Sequence, residues 1–315
     1  MTLSLTLACT DYEWLEPLVR GAVAPEGVDL TVLTGMGGSE RHWRTMQGEF
    51  DVAEFSLGTY LTGWPDWTFT AIPAFPRRFF PHSRVFVNRE AGIETPADFH
   101  GKRVCIVSYQ NTLALWLKGI FAEHDGLDLE RVEWVTWKDE PVPVDLPVAL
   151  TVHDRHASRR DLLASGELDA VAIPSTGGMY PLPATVERLY DDLETPERAY
   201  YEAGGHYPLM HTVVVRDDLV AAHPWLPTEL VKAFRASAAT FEERARHEAK
   251  YPLVWWQSYR EREAAVFGDV WGTSFEYAAN AEALRTMTRY AHEQGLTDER
   301  WDPADLFIDV DDRLG

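Results

Sequence analysis

Residues 75–83 read FPRRFFPHS, two adjacent arginines among phenylalanines, with a proline on each flank and a histidine just beyond. A guanidinium grips a carboxylate through two parallel hydrogen bonds, and aromatic faces accept either a flat ligand or the guanidinium itself. Side chains of neighbouring residues on an extended chain point to opposite sides, so Arg77 and Arg78 do not both face one ligand. One suits an internal ion pair and the other an incoming acid; the spacing leaves open which is which. The local chemistry is that of an anion site for a flat aromatic acid.

Such a basic corner is out of keeping with the whole. The 315 residues carry 50 Asp and Glu against 29 Lys and Arg, a formal net charge of -21. That balance argues against nucleic acid or an anionic membrane surface as a partner, because both call for a basic face. A chain that is 45% hydrophobic can build cores for two domains. Cys9 and Cys105 each fall in an apolar, strand-like run and read as buried reduced thiols. LTLAC at the start lacks the basic residues and the apolar length of a secretory signal, so the expected compartment is the cytoplasm.

The elements that must position the corner alternate between strand and helix. TLSLTLAC, VDLTVLTG, VAEF and FTAIPAF read as strands, and SERHWRTMQGEF as a helix with Ser39 as its N-cap. RVFVN and KRVCIV are further strands, the second leading into an amphipathic helix from about Thr112. VEWVTW is a strand, KDEPVPVDLPVALTVHD a Pro- and acid-rich surface excursion, and SRRDLLASGELDAVAIPS a helix, turn and strand. MHTVVVRDDLV returns as a strand, and Leu226 to His292 is mostly helical. Alternation of this kind implies largely parallel sheets with helical crossovers. The expected architecture is two α/β lobes of the type II periplasmic-binding-protein plan. Lobe 1 comprises residues 1–95 plus 205–315, and lobe 2, inserted into it, residues 96–204.

In open α/β sheets ligands bind beyond the carboxyl ends of the strands. That rule selects Asp11 and Tyr12 after the first strand, Ser56 after VAEF, and Arg77, Arg78 and His82 after FTAIPAF. It also selects Tyr109, Gln110, Asn111 and Thr112 at a helix start, Ser175 after DAVAIP, and His211 ahead of VVVRDDL. Asn111 or Thr112 suits a cap, and free N–H groups at a helix start also bind carboxylate.

The phrases EFDVAEFSLGTYL, FTAIPAFPRRFFPHSRVFVN, GKRVCIVSYQNTLALWLKGIF, GELDAVAIPS, YPLMHTVVVRDDL and RYAHEQGLTDERWDPADLF resemble the 4,5-dihydroxyphthalate decarboxylase family over nearly the whole chain. The stretch 137–157 matches least. The resemblance implies non-oxidative decarboxylation of a hydroxylated aromatic dicarboxylic acid without an organic cofactor. Such chemistry needs a grip on the carboxylates, an acceptor for a ring hydroxyl, and a proton donor near the ring carbon. On that reading Arg78 or Arg77 holds the remaining carboxylate with help from residues 109–112. His82 and His211 are the acid–base pair, and Asp11 and Tyr12 meet a ring hydroxyl. Asp11, Glu54, His82 and His211 would be the ligands of a divalent ion if one were used; the expectation is no metal. The rival reading is a solute-binding protein for the same ligand class. Trp255 and Trp256 suit either core or an interface between copies of the chain, which leaves a homo-oligomer open.

Overall fold

Short runs of Val, Ile, Leu and Phe too brief for helices become strands, and the two-residue period decides which side chains meet. The computed structural model describes residues 2–153, 157–204, 206–247, 253–268 and 272–310. Five strands form the first sheet: β1 (Leu3–Ala8), β2 (Val28–Leu33), β3 (Val52–Ser56), β4 (Phe69–Ile72) and β11 (His211–Arg216). The second holds β5 (Val85–Asn88), β6 (Arg103–Ile106), β7 (Glu133–Thr136), β8 (Leu150–Val152), β9 (Ala170–Ala172) and β10 (Val186–Arg188). Their orders are β2-β1-β3-β11-β4 and β10-β5-β9-β6-β7-β8.

The sheets are mixed rather than simply parallel. β1 pairs parallel with β2 and β3, but β11 runs antiparallel to β3 and β4. In the second sheet β5 is antiparallel to both β9 and β10. The strand after each crossing between sheets is therefore the one that runs backwards. Val85–Asn88 lies in the second sheet, although a boundary at residue 95 leaves it with the first lobe. All four of its residues are buried, so it needs a strand on each side, and β9 and β10 supply them.

Two local expectations change. The helix Gly38–Met46 is capped at Gly37 and begins ahead of Ser39, whose hydroxyl accepts a hydrogen bond from Lys138 instead of capping. The helix Thr112–Asp125 is not amphipathic: every residue from Thr112 to Phe121 is buried. Besides the second sheet it meets the helix Tyr277–Glu293 of the first lobe, where Tyr290 packs on Gly119 and donates to Glu123. Trp116 Nε1 donates to the Leu209 carbonyl at 2.8 Å and Gln294 Nε2 to that of Leu115 at 3.0 Å. The largest apolar core accordingly runs through both lobes without a break. Cys9 and Cys105 are buried and unbridged, as expected. Among the described residues no helix is long and apolar enough to cross a membrane.

One close approach fixes the lobes at the strand ends. The Thr112 hydroxyl meets Ser56 Oγ at 2.8 Å and accepts from the Gly58 amide at 2.9 Å. A Cβ on Gly58 would lie 2.3 Å from the Gln110 carbonyl oxygen. Backbone does not yield as a side chain tip does, so Gly58→Ala should cost about 1–3 kcal/mol of stability. A thermal melt of Gly58→Ala superimposable on that of the parent chain would refute this close contact.

Candidate active site

β3 and β1 end at the same edge of the first sheet, and the reversed β11 begins there. His211 is thereby opposite Ser56 and Val213 opposite Glu54. With a period of two, Glu54, Ser56, His211 and Val213 fall on one face, and Glu54 is the diagonal neighbour of His211. His211 Nδ1 hydrogen-bonds Glu54 Oε1. The same oxygen accepts from the Tyr12 hydroxyl at 2.5 Å. Oε2 accepts from the Thr10 amide at 2.8 Å and from Arg41 Nη2 at 2.9 Å, with the Cys9 thiol at 3.5 Å. Glu54 and Arg41 are both sealed from solvent.

Burial works to raise the Glu54 carboxyl, but His211, Arg41 and the Tyr12 hydroxyl outweigh it and hold it well below the usual range. Arg41, Thr10 and Tyr12 donate to it whatever the state of His211, so Glu54 is the anion. Burial lowers His211 and outweighs the upward pull of Glu54, with Arg77 and Arg41 adding to the fall. The resting site is a carboxylate fixing one nitrogen of a neutral imidazole. That leaves Nε2 as the nitrogen available to a substrate. Tyr12 is pushed far up, first by burial and then by Glu54, so it is a phenol that donates inward rather than a base.

Two cavities flank this cluster. A cavity of about 470 Å³ is lined by Tyr12, Trp14, Arg77, Phe79, Arg84 and Phe275 among others. A larger one, about 1190 Å³, lies between the lobes and takes in His42, Ser56, Ser108, Asn111 and Glu140. Tyr12 borders the first, and His42, whose ring centroid is 5.1 Å from that of His211, borders the second.

The two arginines of the corner at 75–83 differ in burial and partners. Arg78 turns inward. It is buried, stacks on Tyr207, and donates to the Tyr207 carbonyl at 2.8 Å and to Ser274 Oγ at 3.4 Å. Both arginines line the smaller cavity; half-buried Arg77 places Nη2 on the Pro174 carbonyl at 3.0 Å and its guanidinium 5.1 Å from the Phe79 ring. Arg84, which the strand-end rule passes over, has its guanidinium 4.3 Å from the same ring. Its Nε is closed to solvent and has no hydrogen-bond partner among the described residues. Burial, then the charge of Arg77, lowers Arg84. Two guanidiniums thus flank one phenyl ring, in a cavity whose wall also carries Arg78, Arg260, Glu13, Glu242 and Glu263.

The remaining candidates scatter. His82 is buried in a nest of Phe80, Phe121, Tyr190 and Tyr200 rings, which pushes it down to about 4, and it borders neither cavity. Asp11 and Ser175 are exposed. Asn111 caps its helix by accepting from the Leu113 amide at 3.2 Å, and lines the larger cavity. Asp11 and His82 thus do not join Glu54 and His211, and among the described residues no group of three or more His, Cys, Asp or Glu gathers as metal ligands would.

The turn before the helix Thr112–Asp125 already holds a carboxylate. Glu140 accepts from the Tyr109 amide at 2.5 Å and the Gln110 amide at 3.0 Å. The Gln110 side chain exchanges hydrogen bonds with the backbone of Val142, and buried Lys118 ties down the Tyr109 carbonyl at 2.9 Å. The acid-rich excursion therefore folds back onto the strand ends. Four residues of the site escaped sequence reasoning: Arg41, His42, Arg84 and Glu140. A charged residue inside the apolar run VAEFS was a signal that a buried counter-charge must exist, but nothing local named it.

Two sheets with two crossings between them, and a polar cluster at the strand ends, define a two-lobed fold of the type II periplasmic-binding-protein kind. The alkanesulfonate-binding protein SsuA from Xanthomonas axonopodis pv. citri, bound to MOPS, superposes with a TM-score of 0.59 at 13% identity, over 97% of this chain and 98% of that one. The desulfurization enzyme DSZB superposes at 0.51 with 18% identity over 97% and 96%, so the fold is shared by binding proteins and an enzyme. No protein-family model matches the chain. A 4,5-dihydroxyphthalate decarboxylase of Comamonas testosteroni is 32% identical over 97% of this chain and 96% of its own length. One of Pseudomonas putida is 31% identical over 64% and 82%. The chain belongs to the 4,5-dihydroxyphthalate decarboxylase family, and it is an enzyme of the carboxy-lyase class.

Proposed function

We propose that the enzyme decarboxylates a 4,5-dihydroxyphthalate-type acid lodged in the smaller cavity, with the carboxylate that stays held by Arg77 and Arg84. The observation that carries this reading is the pair of guanidiniums flanking Phe79 in a cavity also lined by Tyr12, whose hydroxyl donates to the Glu54 carboxylate that holds His211. The charge of Arg77 acts against that of Arg84, and a carboxylate between them relieves that repulsion. The rings of Trp14, Phe79 and Phe275 supply flat apolar surface for the substrate.

Each carboxylate of such a substrate has a ring hydroxyl para to it, whose electrons add density at the carbon bearing the carboxylate. His211 Nε2 delivers a proton to that carbon. The bond to the carboxylate then breaks, its electron pair restores the aromatic ring, and CO2 leaves. Glu54 stabilises the imidazolium before transfer and orients the ring. Arg77 and Arg84 hold the other carboxylate in place.

The test is CO2 release from a panel of hydroxyphthalates and hydroxybenzoates, with Arg77→Met and Arg84→Met alongside. Turnover should favour the dihydroxyphthalate, and each variant should raise KM by about tenfold or more, the loss of one charge-assisted hydrogen-bonded contact. Binding across the panel without CO2 would move the chain to the solute-binding reading. Unchanged KM in both variants would remove the arginine seat.

A further inference from the structure

Decarboxylation consumes a proton at every turnover: the carboxylate leaves as CO2 and a hydrogen takes its place on the ring. His211 is buried, its Nδ1 is committed to Glu54, and after one transfer it is neutral. Something must return a proton to it from solvent.

His42 is placed for this. It lies on the helix Gly38–Met46, next to the buried Arg41 that anchors Glu54. Its ring borders the larger, inter-lobe cavity and meets His211 edge to face at 5.1 Å between centroids. Its other neighbour is the Phe55 ring, at 5.3 Å. Nε2 of His42 is closed to solvent and has no hydrogen-bond partner among the described residues. A sealed imidazole nitrogen without a partner is costly in a purely structural residue. The ring thus has one edge inside the protein beside His211 and one side on a roomy polar cavity.

We propose that His42 is a relay residue that passes solvent protons from the inter-lobe cavity to His211 and reloads it after each decarboxylation. In the relay step a protonated water in the cavity gives its proton to one nitrogen of His42. The opposite nitrogen gives up its own proton to neutral His211 through one water, His42 is left neutral with its tautomer exchanged, and a flip of the ring restores the starting tautomer before the next turnover. No other reactant is involved, and His42 never touches the substrate. The charges that act on His42 are His211 on β11, Arg41 on its own helix, Glu54 on β3 and Arg77. Burial and then His211 lower it well below its ordinary value. It therefore holds a proton only briefly, as a relay does and a resting cation does not.

The inference rests on the decarboxylation reading, and the experiment separates the two. The full-length enzyme and its His42→Gln and His42→Ala variants are mixed with 4,5-dihydroxyphthalate in a rapid-quench instrument. They are pre-equilibrated on the acid side of the His211 titration, so that the first proton is already in place. Single-turnover CO2 release by both variants should stay within about threefold of the parent, while steady-state kcat falls by about tenfold or more at unchanged KM. Free imidazole should restore steady-state turnover to His42→Ala. An unchanged steady state in both variants overturns the relay, and so does an equal fall of the first and later turnovers without imidazole rescue. A parent enzyme that releases no CO2 instead overturns the decarboxylation reading, and the relay with it.

Discussion

His211→Gln should lower kcat by about 10²–10⁴-fold, the usual contribution of a positioned general acid or base, with KM little changed. The structure ties that loss to chemistry rather than folding. Glu54 keeps four donors when His211 is removed, namely Arg41, the Thr10 amide, the Tyr12 hydroxyl and the Cys9 thiol. Its charge stays compensated and the variant should fold. The pH profile carries a second signature. A proton donor works only while protonated, and burial lowers His211 below its ordinary 6.5. In the parent enzyme kcat/KM should therefore decline with rising pH on a limb centred below 6.5, a limb absent from His211→Gln. Rates for His211→Gln within about threefold of the parent on a turned-over substrate would remove His211 from the chemistry.

Glu54→Gln is expected to be the most destabilising single change at the site. Arg41 is buried beside Glu54, with Nη2 on the carboxylate and Nε on the Glu54 carbonyl. Removing one partner of a buried ion pair strands the other charge and typically costs about 3–5 kcal/mol. That is a large part of the roughly 5–15 kcal/mol by which a typical domain is stable. The sign of the pH dependence follows from the depressed Glu54 carboxyl. The folded state holds the carboxylate at lower pH than the unfolded chain does. The stabilisation is complete above the unfolded value near 4.5 and disappears as pH falls through the folded one. Denaturation curves of parent and Glu54→Gln should be well separated at neutral pH and converge in acid. The double variant Arg41→Met with Glu54→Gln should recover part of the loss, because no buried charge is then stranded. Equal stability of the single variant and the parent at neutral pH would show that the pair is not the internal anchor described here.

The alternation of strand and helix, the two-lobed plan and the strand ends at Tyr12, Ser56, Asn111 and His211 were legible in the amino-acid sequence. These depend on local period, chain breakers and turn residues, which act over a few positions. The resemblance to the decarboxylase family was equally legible, because it is carried by contiguous phrases. Mates distant in sequence were not. Glu54 and His211 are separated by 157 positions and meet only because β11 runs against β3. Arg78 is buried and Arg77 half-buried, and the bridge from Arg78 to Leu209 of the returning chain has no local trace. Arg84 joins Arg77 across a phenyl ring, and His82, in the same short turn as Arg84, is lost among aromatics. The helix from Thr112 was read as amphipathic because its second apolar partner, the helix Tyr277–Glu293, lies far along the chain. Sequence alone determined which residue types stand at the strand ends. Tertiary structure decided which of them share a site, since side chains meet through sheet order, strand direction and the closure of one lobe on the other, none of which is a property of neighbouring residues.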